Sequence, residues 1–122
     1  MAALTVNTIV AGTGKVDVDS LYESAAGGGD TVVYDPKVFL VVKNGDSSPT
    51  TVTITAQSAS GTLSGFGTVT KANETYVIAA GDTCIIGHLE QAFRNASGLI
   101  AISYSSVTSL SIAAFKMNTL TA

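Results

Sequence analysis

Apolar and polar side chains alternate along several short segments of the chain. In residues 50–57, TTVTITAQ, the apolar Val52, Ile54 and Ala56 alternate with threonines. A period of two is typical of a β-strand with one buried face and one face in water, and Thr and Val suit a pleated surface. Residues 37–44, KVFLVVKN, form an unbroken apolar run between two lysines, which predicts a central strand buried on both faces.

Further segments of this kind follow at short spacing, separated by turn residues. The connection NGDSSP, residues 44–49, contains Asn-Gly and Pro, and it predicts that the strands on either side of it pair antiparallel. The Gly-rich residues 62–71 predict a weak edge strand around Phe66 and Val69. Seven or eight short strands indicate an all-β, single-domain antiparallel β-sandwich, jelly-roll-like in type. The remaining strands are predicted in LTVNTIV, YVIAA, TCIIG, GLIAISYSS and LSIAAFKM.

The first thirty residues mix strand-like and Gly-rich pieces. Residues 18–26 have the best helical spacing in the chain, and three glycines stop it. We interpret residues 1–30 as an extended N-terminal arm or first strand with a Gly-rich hinge, and residues 31–122 as the sandwich. Removal of residues 2–20 is then expected to leave the fold intact. The alternative is an ordinary first strand followed by a long loop.

Composition narrows the possible functions. Hydrophobic residues make up 46% of the chain and charged residues only 12%, against about 25% charged in ordinary soluble domains. This low charge fits a surface that partner chains partly cover, or the Ser/Thr-coated face of a small β-domain. The net charge of −3 comes without any basic cluster, so we expect no nucleic-acid partner. Apolar runs are too short to span a bilayer, the N-terminus does not resemble a signal peptide, and we expect no membrane partner.

Residues 84–95, CIIGHLEQAFRN, hold the single cysteine, histidine and arginine of the chain. If Ile85 faces the core, Cys84 faces the other side and His88 lies beyond the strand end. Four residues of strand separate the two by roughly 13 Å, whereas proton transfer requires about 3 Å. One His and one Cys also cannot form a closed metal site. We therefore expect no enzymatic activity, no metal and no cofactor here, with Glu90 and Arg94 paired on a short helical turn.

Asp17 and Asp19 alternate in KVDVDS, residues 15–20, and would project to one side of an extended strand. Calcium requires six or more oxygen ligands, and the chain has no EF-hand loop. A solvated face is the simpler interpretation of this pair.

Residues 25–117 resemble a family of small tailed-bacteriophage proteins, the capsid decoration (cement, or auxiliary head) proteins. The shared features are Gly-Gly-Asp-Thr, an apolar strand ending in Lys-Asn, a Ser-Pro turn, Ile-Gly, an F-x-N loop and a closing Y-S-x-V-T segment. After Ile-Gly the family has a Pro-rich segment, whereas this chain has HLEQAF, residues 88–93. The matching residues are Gly28, Gly29, Asp30, Thr31, Lys43, Asn44, Ser48, Pro49, Ile86, Gly87, Phe93, Asn95, Gly98, Tyr104, Ser105, Val107 and Thr108.

The resemblance implies a structural virion protein that is made in the host cytoplasm and binds the outer surface of the capsid. Its implied partners are the major capsid protein and copies of itself, as a homotrimer. We expect the N-terminal arm and the loops at residues 44–49 and 88–95 to make these contacts. The candidate contact residues are Leu4, Val6, Asp17, Asp19, Tyr22, Asn44, Asp46, His88, Glu90, Arg94 and Asn95.

Three other classes stay open. A phage fibre, tail or carbohydrate-binding β-sandwich module would stack sugars on exposed aromatic rings, and the chain has no Trp and four Tyr. A head–tail connector component would differ mainly in forming a ring instead of a trimer. An enzyme would require activity that is lost in both Cys84→Ser and His88→Ala.

Overall fold

The computed structural model describes residues 2–10, 12–56, 60–70, 72–87, 89 and 93–118, with the backbone alone for residues 60–63, 68–70 and 118. Twelve β-strands and one short 3-10 helix, Val18–Leu21, lie in this part of the chain. The strands are β1 Ala2–Ala3, β2 Val6–Val10, β3 Glu23–Ser24, β4 Asp30–Val33, β5 Val38–Asn44, β6 Thr50–Ile54, β7 Ser60–Leu63, β8 Gly67–Thr70, β9 Glu74–Ile78, β10 Thr83–Ile86, β11 Leu99–Tyr104 and β12 Leu110–Asn118. No helix among the described residues is long and apolar enough to cross a membrane.

Two five-stranded sheets enclose the core. Sheet A has the order β1-β4-β11-β6-β9, and sheet B has the order β10-β5-β12-β2, with β3 also paired to β12. Alternate residues of each strand point inward, and the fully buried side chains include Leu40, Ile54, Ile100, Ile102 and Ile112. The all-β sandwich expected from the period-two pattern is confirmed, because each sheet buries one apolar face against the other.

Both sheets are mixed because the N-terminal residues add one parallel strand to each. β1 pairs with β4 and β2 pairs with β12, both in parallel. Between them, Leu4 is 6% exposed and its N–H donates to the carbonyl of Thr31. The interpretation of these residues as an arm leaving the sandwich is therefore wrong for residues 2–10, whereas the strand predicted in LTVNTIV is confirmed as β2. A deletion of residues 2–20 would remove two strands and a core leucine, so it would not leave the fold intact.

The predicted pairing across the turn at residues 44–49 is also wrong. β5 pairs with β10 and β12 in sheet B, whereas β6 pairs with β9 and β11 in sheet A. The turn is an arch that carries the chain from one sheet to the other. Sequence pattern alone does not separate an arch from a hairpin, because both join two apolar runs through turn residues.

Residues 12–22, here called the strap, follow β2 and lie over the outer face of sheet B. The Asp19 carboxylate is 3.6 Å from the Lys43 ammonium on β5, and the same ammonium is 5.6 Å from the centre of the Tyr22 ring. The helix expected over residues 18–26 is a single 3-10 turn, and β3 begins where its second turn was expected. Pairing of Glu23 and Ser24 with β12 takes precedence over the weak helical spacing.

Candidate interaction surfaces

Cys84 lies on the inward side of β10. Cys84 and Ile86 lie opposite Val42 and Leu40, which are fully buried, so both face the core. Ile85 is 69% exposed, and the expectation that it faces the core is wrong. Burial raises the pKa of the Cys84 thiol, which keeps it protonated and a poor nucleophile. His88 and Glu90 lie outside the described residues, and so does the Glu90–Arg94 pair.

Carboxylates in the strap are separated by its local structure. Asp17 adopts the left-handed backbone conformation, with φ of 56°, and precedes the 3-10 turn, while Asp19 within that turn pairs with Lys43. The two do not lie on one side of an extended strand as the sequence predicts. Within the described part of the chain, no group of three or more His, Cys, Asp or Glu side chains is placed to hold a metal ion.

Several of the predicted contact residues have structural roles. Leu4 lies in the core, and Asn44 is 1% exposed, so neither side chain is available to a partner. Val6 is half-buried in β2 and Tyr22 is half-buried under Lys43. Asp46 is half-buried in the arch at residues 44–49, where its carboxylate accepts from the Ser47 N–H at 2.7 Å.

The remaining described contact candidates are Asp17, Asp19, Arg94 and Asn95. The Arg94 side chain is exposed, 6.0 Å from the centre of the Tyr34 ring. The Asn95 side-chain oxygen accepts from the N–H groups of Ser97 and Leu99, at 2.9 and 3.0 Å, and so shapes its own turn. Asp17, Asp19 and Arg94 are exposed, and their contact role stays a prediction.

A buried polar pair joins β4 to β11. The Tyr104 hydroxyl donates to Asp30 Oδ2 at 2.6 Å, and the Ala26 N–H donates to the same oxygen at 3.2 Å. Asp30 is 1% exposed, and its Oδ1 has no hydrogen-bond partner among the residues that the structure describes. A carboxylate closed off in this way is out of reach of a substrate, so the pair serves to position the start of β4. The sequence identifies Asp30 only as part of the Gly-Gly-Asp-Thr motif. A carboxylate at the start of an apolar strand nevertheless indicates a buried polar contact.

Tyr104 is expected to make stability fall at alkaline pH. Burial raises the pKa of its hydroxyl above the usual range, and the hydrogen bond to Asp30 and the charges of Asp30 and Glu23 raise it further. The unfolded tyrosine loses its proton near pH about 10, while the folded one keeps it. This contribution is thus fully present below that pH and is lost as the pH rises.

Urea unfolding at increasing pH measures this effect. The free energy of unfolding is expected to decline more steeply above pH about 10 in the wild type than in Tyr104→Phe. Equal slopes in the two proteins would show that the Tyr104 hydroxyl does not contribute.

The described residues on the outer face of sheet A carry no charged side chain. Cross-strand partners share a face of a sheet. The register places Thr31 beside Ala101 and Val33 beside Leu99. It also places Thr53 between Ser103 on one side and Thr75 on the other. The alternate residues on these strands are buried in the core. We call this surface the hydroxyl face, and its described members are Ala3, Val33, Thr51, Thr53, Thr75, Val77, Leu99, Ala101 and Ser103. Thr31 lies on the same side of the sheet but is only 8% exposed.

Sequence reasoning did not find the hydroxyl face, although it identified the alternating threonines of β6. The face combines residues of five strands that are far apart in the chain, and only the strand order brings them together. It includes exposed apolar side chains, since Val33 is 57% and Val77 is 73% exposed.

Comparison with protein-family models, with curated proteins and with solved structures finds no match to this chain.

Proposed function

We propose that this protein is a capsid decoration protein that binds the outer surface of an assembled phage head and bridges major capsid subunits. The sequence resemblance over residues 25–117 supports this role. The structural observation that carries the proposal is the hydroxyl face, a broad surface whose described members carry no charge.

The chemistry of the hydroxyl face suits a permanent protein contact. The central part of a protein–protein interface is depleted in charged residues, because an ion that loses water without gaining a partner costs several kcal/mol. Threonine and serine hydroxyls both donate and accept hydrogen bonds, so they can pair with either kind of backbone group on a partner. Five strands about 4.8 Å apart give a surface roughly 20 Å wide.

Such a contact stabilises the shell without catalysis. A protein that binds only the assembled head shifts the equilibrium towards it by mass action. Contacts with several shell subunits at once add avidity without requiring one strong contact. The homotrimer implied by the resemblance would present three hydroxyl faces, and it stays a prediction together with the virion location.

A charge placed in the hydroxyl face is expected to weaken shell binding. Ser103 is exposed on β11, the central strand of sheet A, and Ser103→Glu would bury an unpaired carboxylate against the shell. We expect at least about tenfold weaker binding, measured by co-sedimentation with mature capsids of the phage that encodes the protein. The matched control is Thr83→Glu, which adds the same charge on sheet B, opposite Lys43.

The possible results distinguish a failure of the hydroxyl-face contact from a failure of the proposed function. Ser103→Glu that binds as tightly as Thr83→Glu would remove the hydroxyl face from the contact, while decoration itself would stand. Wild-type protein that does not sediment with mature capsids, or binds precursor capsids equally well, would refute the proposed function. Binding to a glycan array without capsid affinity would favour the carbohydrate-binding class instead.

A further inference from the structure

Phe66 is a solvent-exposed aromatic side chain at the tip of a hairpin. β7 and β8 pair from Ser60–Thr70 to Leu63–Gly67 and form a two-stranded sheet of their own. Gly65 and Gly67 flank Phe66 with φ of 82° and 84°, a conformation that favours glycine. The Phe66 side chain is 84% exposed.

An apolar groove lies on the outer face of sheet B, between the sheet and the strap. It has a volume of about 390 Å³. The rings of Phe39 and Phe115 stack within it, with centroids 5.7 Å apart. The backbone of Gly14 and the charged Lys15 line it on the strap side, and its apolar lining consists of Ile9, Val18, Phe39, Val41, Phe115 and Met117. Two of the lining residues, Val18 and Met117, are 37% and 47% exposed. The groove is therefore accessible to a side chain of another molecule.

We infer that Phe66 of one copy inserts into this groove on a second copy. The protruding ring and the groove are complementary in chemistry, since a phenyl ring packs well against other aromatic rings and methionine adapts its shape to the neighbour it meets. The tip and the groove are different parts of the surface, so the contact is heterologous: each copy offers one tip and one groove. Contacts of this kind close into rings when the rotation between copies allows it.

The inferred contact is independent of the proposed capsid role. The groove lies on the outside of sheet B and the hydroxyl face lies on the outside of sheet A, so these two surfaces do not overlap. A buried phenyl side chain covers roughly 150–250 Å², less than the about 800 Å² that each partner contributes to a standard interface. Phe66 is therefore the anchor of a contact that includes its surroundings, and the association is reversible.

Analytical ultracentrifugation of the purified full chain over a range of concentrations tests the contact. Wild-type protein is expected to form oligomers, and Phe66→Ser is expected to associate about 10- to 100-fold more weakly. The matched control is Val77→Ser, which removes another highly exposed apolar side chain, from the hydroxyl face, and leaves association unchanged.

Complementation between two defective variants identifies the groove as the receptor. Met117→Lys adds a second positive charge to the groove, which Lys15 already lines, and keeps Phe66. Phe66→Ser keeps the groove. Each variant alone is expected to be monomeric, and an equimolar mixture is expected to give one-to-one pairs and nothing larger. Val18→Lys, on the strap outside the strands, replaces Met117→Lys if that variant does not fold.

Three results would overturn the inference: a monomeric wild type at the highest attainable concentration, Phe66→Ser that associates as the wild type does, or a mixture that stays monomeric. Because no capsid is used, a negative result here leaves the co-sedimentation test of the proposed function unaffected.

Discussion

Asn44→Ala is expected to lower the free energy of unfolding by about 2–4 kcal/mol. The side-chain amide of Asn44 donates to the carbonyls of Ser48, Ile78 and Ala79, at 3.0, 3.1 and 3.3 Å. Its side-chain oxygen accepts from the Asp46 N–H at 3.0 Å. Alanine removes these bonds, of which the one to Ile78 is buried. Loss of the donor to a buried carbonyl costs more than the net value of the bond itself.

The size of this effect follows from where Asn44 lies. It ends β5 at the point where three arches between the sheets meet. Its own N–H donates to the carbonyl of Asp82, and the next N–H, of Gly45, donates to the carbonyl of Ser109. One side chain and two backbone groups thus join the arch at residues 45–49 to the arches at residues 79–82 and 105–109.

Asn44→Asp is expected to be more harmful than Asn44→Ala at neutral pH. A carboxylate only accepts hydrogen bonds, so it would face three carbonyl oxygens in a buried site. Its folded-state pKa would be raised, and the stability it retains would be present below pH about 4 and lost as the pH rises. Asn44→Asp is therefore expected to recover part of its stability in acid.

Urea unfolding measures both variants. Asn73→Ala is the matched control, because Asn73 is exposed and accepts one hydrogen bond, from the Ala56 N–H at 2.8 Å. We expect a loss of about 1 kcal/mol or less for the control. A loss of similar size for Asn44→Ala would show that the three arches are held together by other contacts.

The surroundings of Asn44 show which parts of the fold can be predicted from the sequence. The alternation around Val52 and Ile54 correctly predicts β6, and the apolar run of residues 38–42 correctly predicts β5. The pattern does not say whether the two strands share a sheet, because Asn-Gly and Pro suit an arch as well as a hairpin. From the sequence alone, Asn44 is interpreted as a turn residue and a candidate contact residue. Only the strand order shows that it is buried.

The candidate surfaces depend on strand order in the same way. The apolar triplet Cys84, Ile85 and Ile86 has no alternation, so its inward side is settled only by pairing with Leu40 and Val42. Each threonine of the hydroxyl face is an ordinary strand residue by itself. Phe66 reads as part of a weak edge strand, and its exposure follows from the two glycines that turn the chain on either side of it.

Gly29→Ala is expected to cost about 2–5 kcal/mol of stability, a range that combines backbone strain with overpacking. Gly29 has φ of 92°, where side chains with a Cβ are strained. A Cβ at this position would also lie 2.7 Å from the carbonyl oxygen of Ile102, a backbone atom of β11 that does not move freely. Both penalties arise from the backbone, so repacking of side chains does not relieve them.

Backbone movement at Gly29 would also disturb the start of β4. The Gly29 N–H donates to the carbonyl of Ala26, and its own carbonyl accepts from the Ala2 N–H of β1. The next residue is Asp30, whose carboxylate meets Tyr104. We therefore expect Gly29→Ala to weaken the attachment of β1 and also the Asp30–Tyr104 bond, so that the steep alkaline loss of stability attributed to Tyr104 becomes shallower.

Gly27→Ala is the matched control for this prediction. Gly27 is exposed in the same run of glycines, and a Cβ built on it meets nothing within 4 Å. Alanine there is expected to change stability by about 0.5 kcal/mol or less. If urea unfolding gave Gly29→Ala the same small effect, the close approach of β4 to β11 at Ile102 would not limit this position.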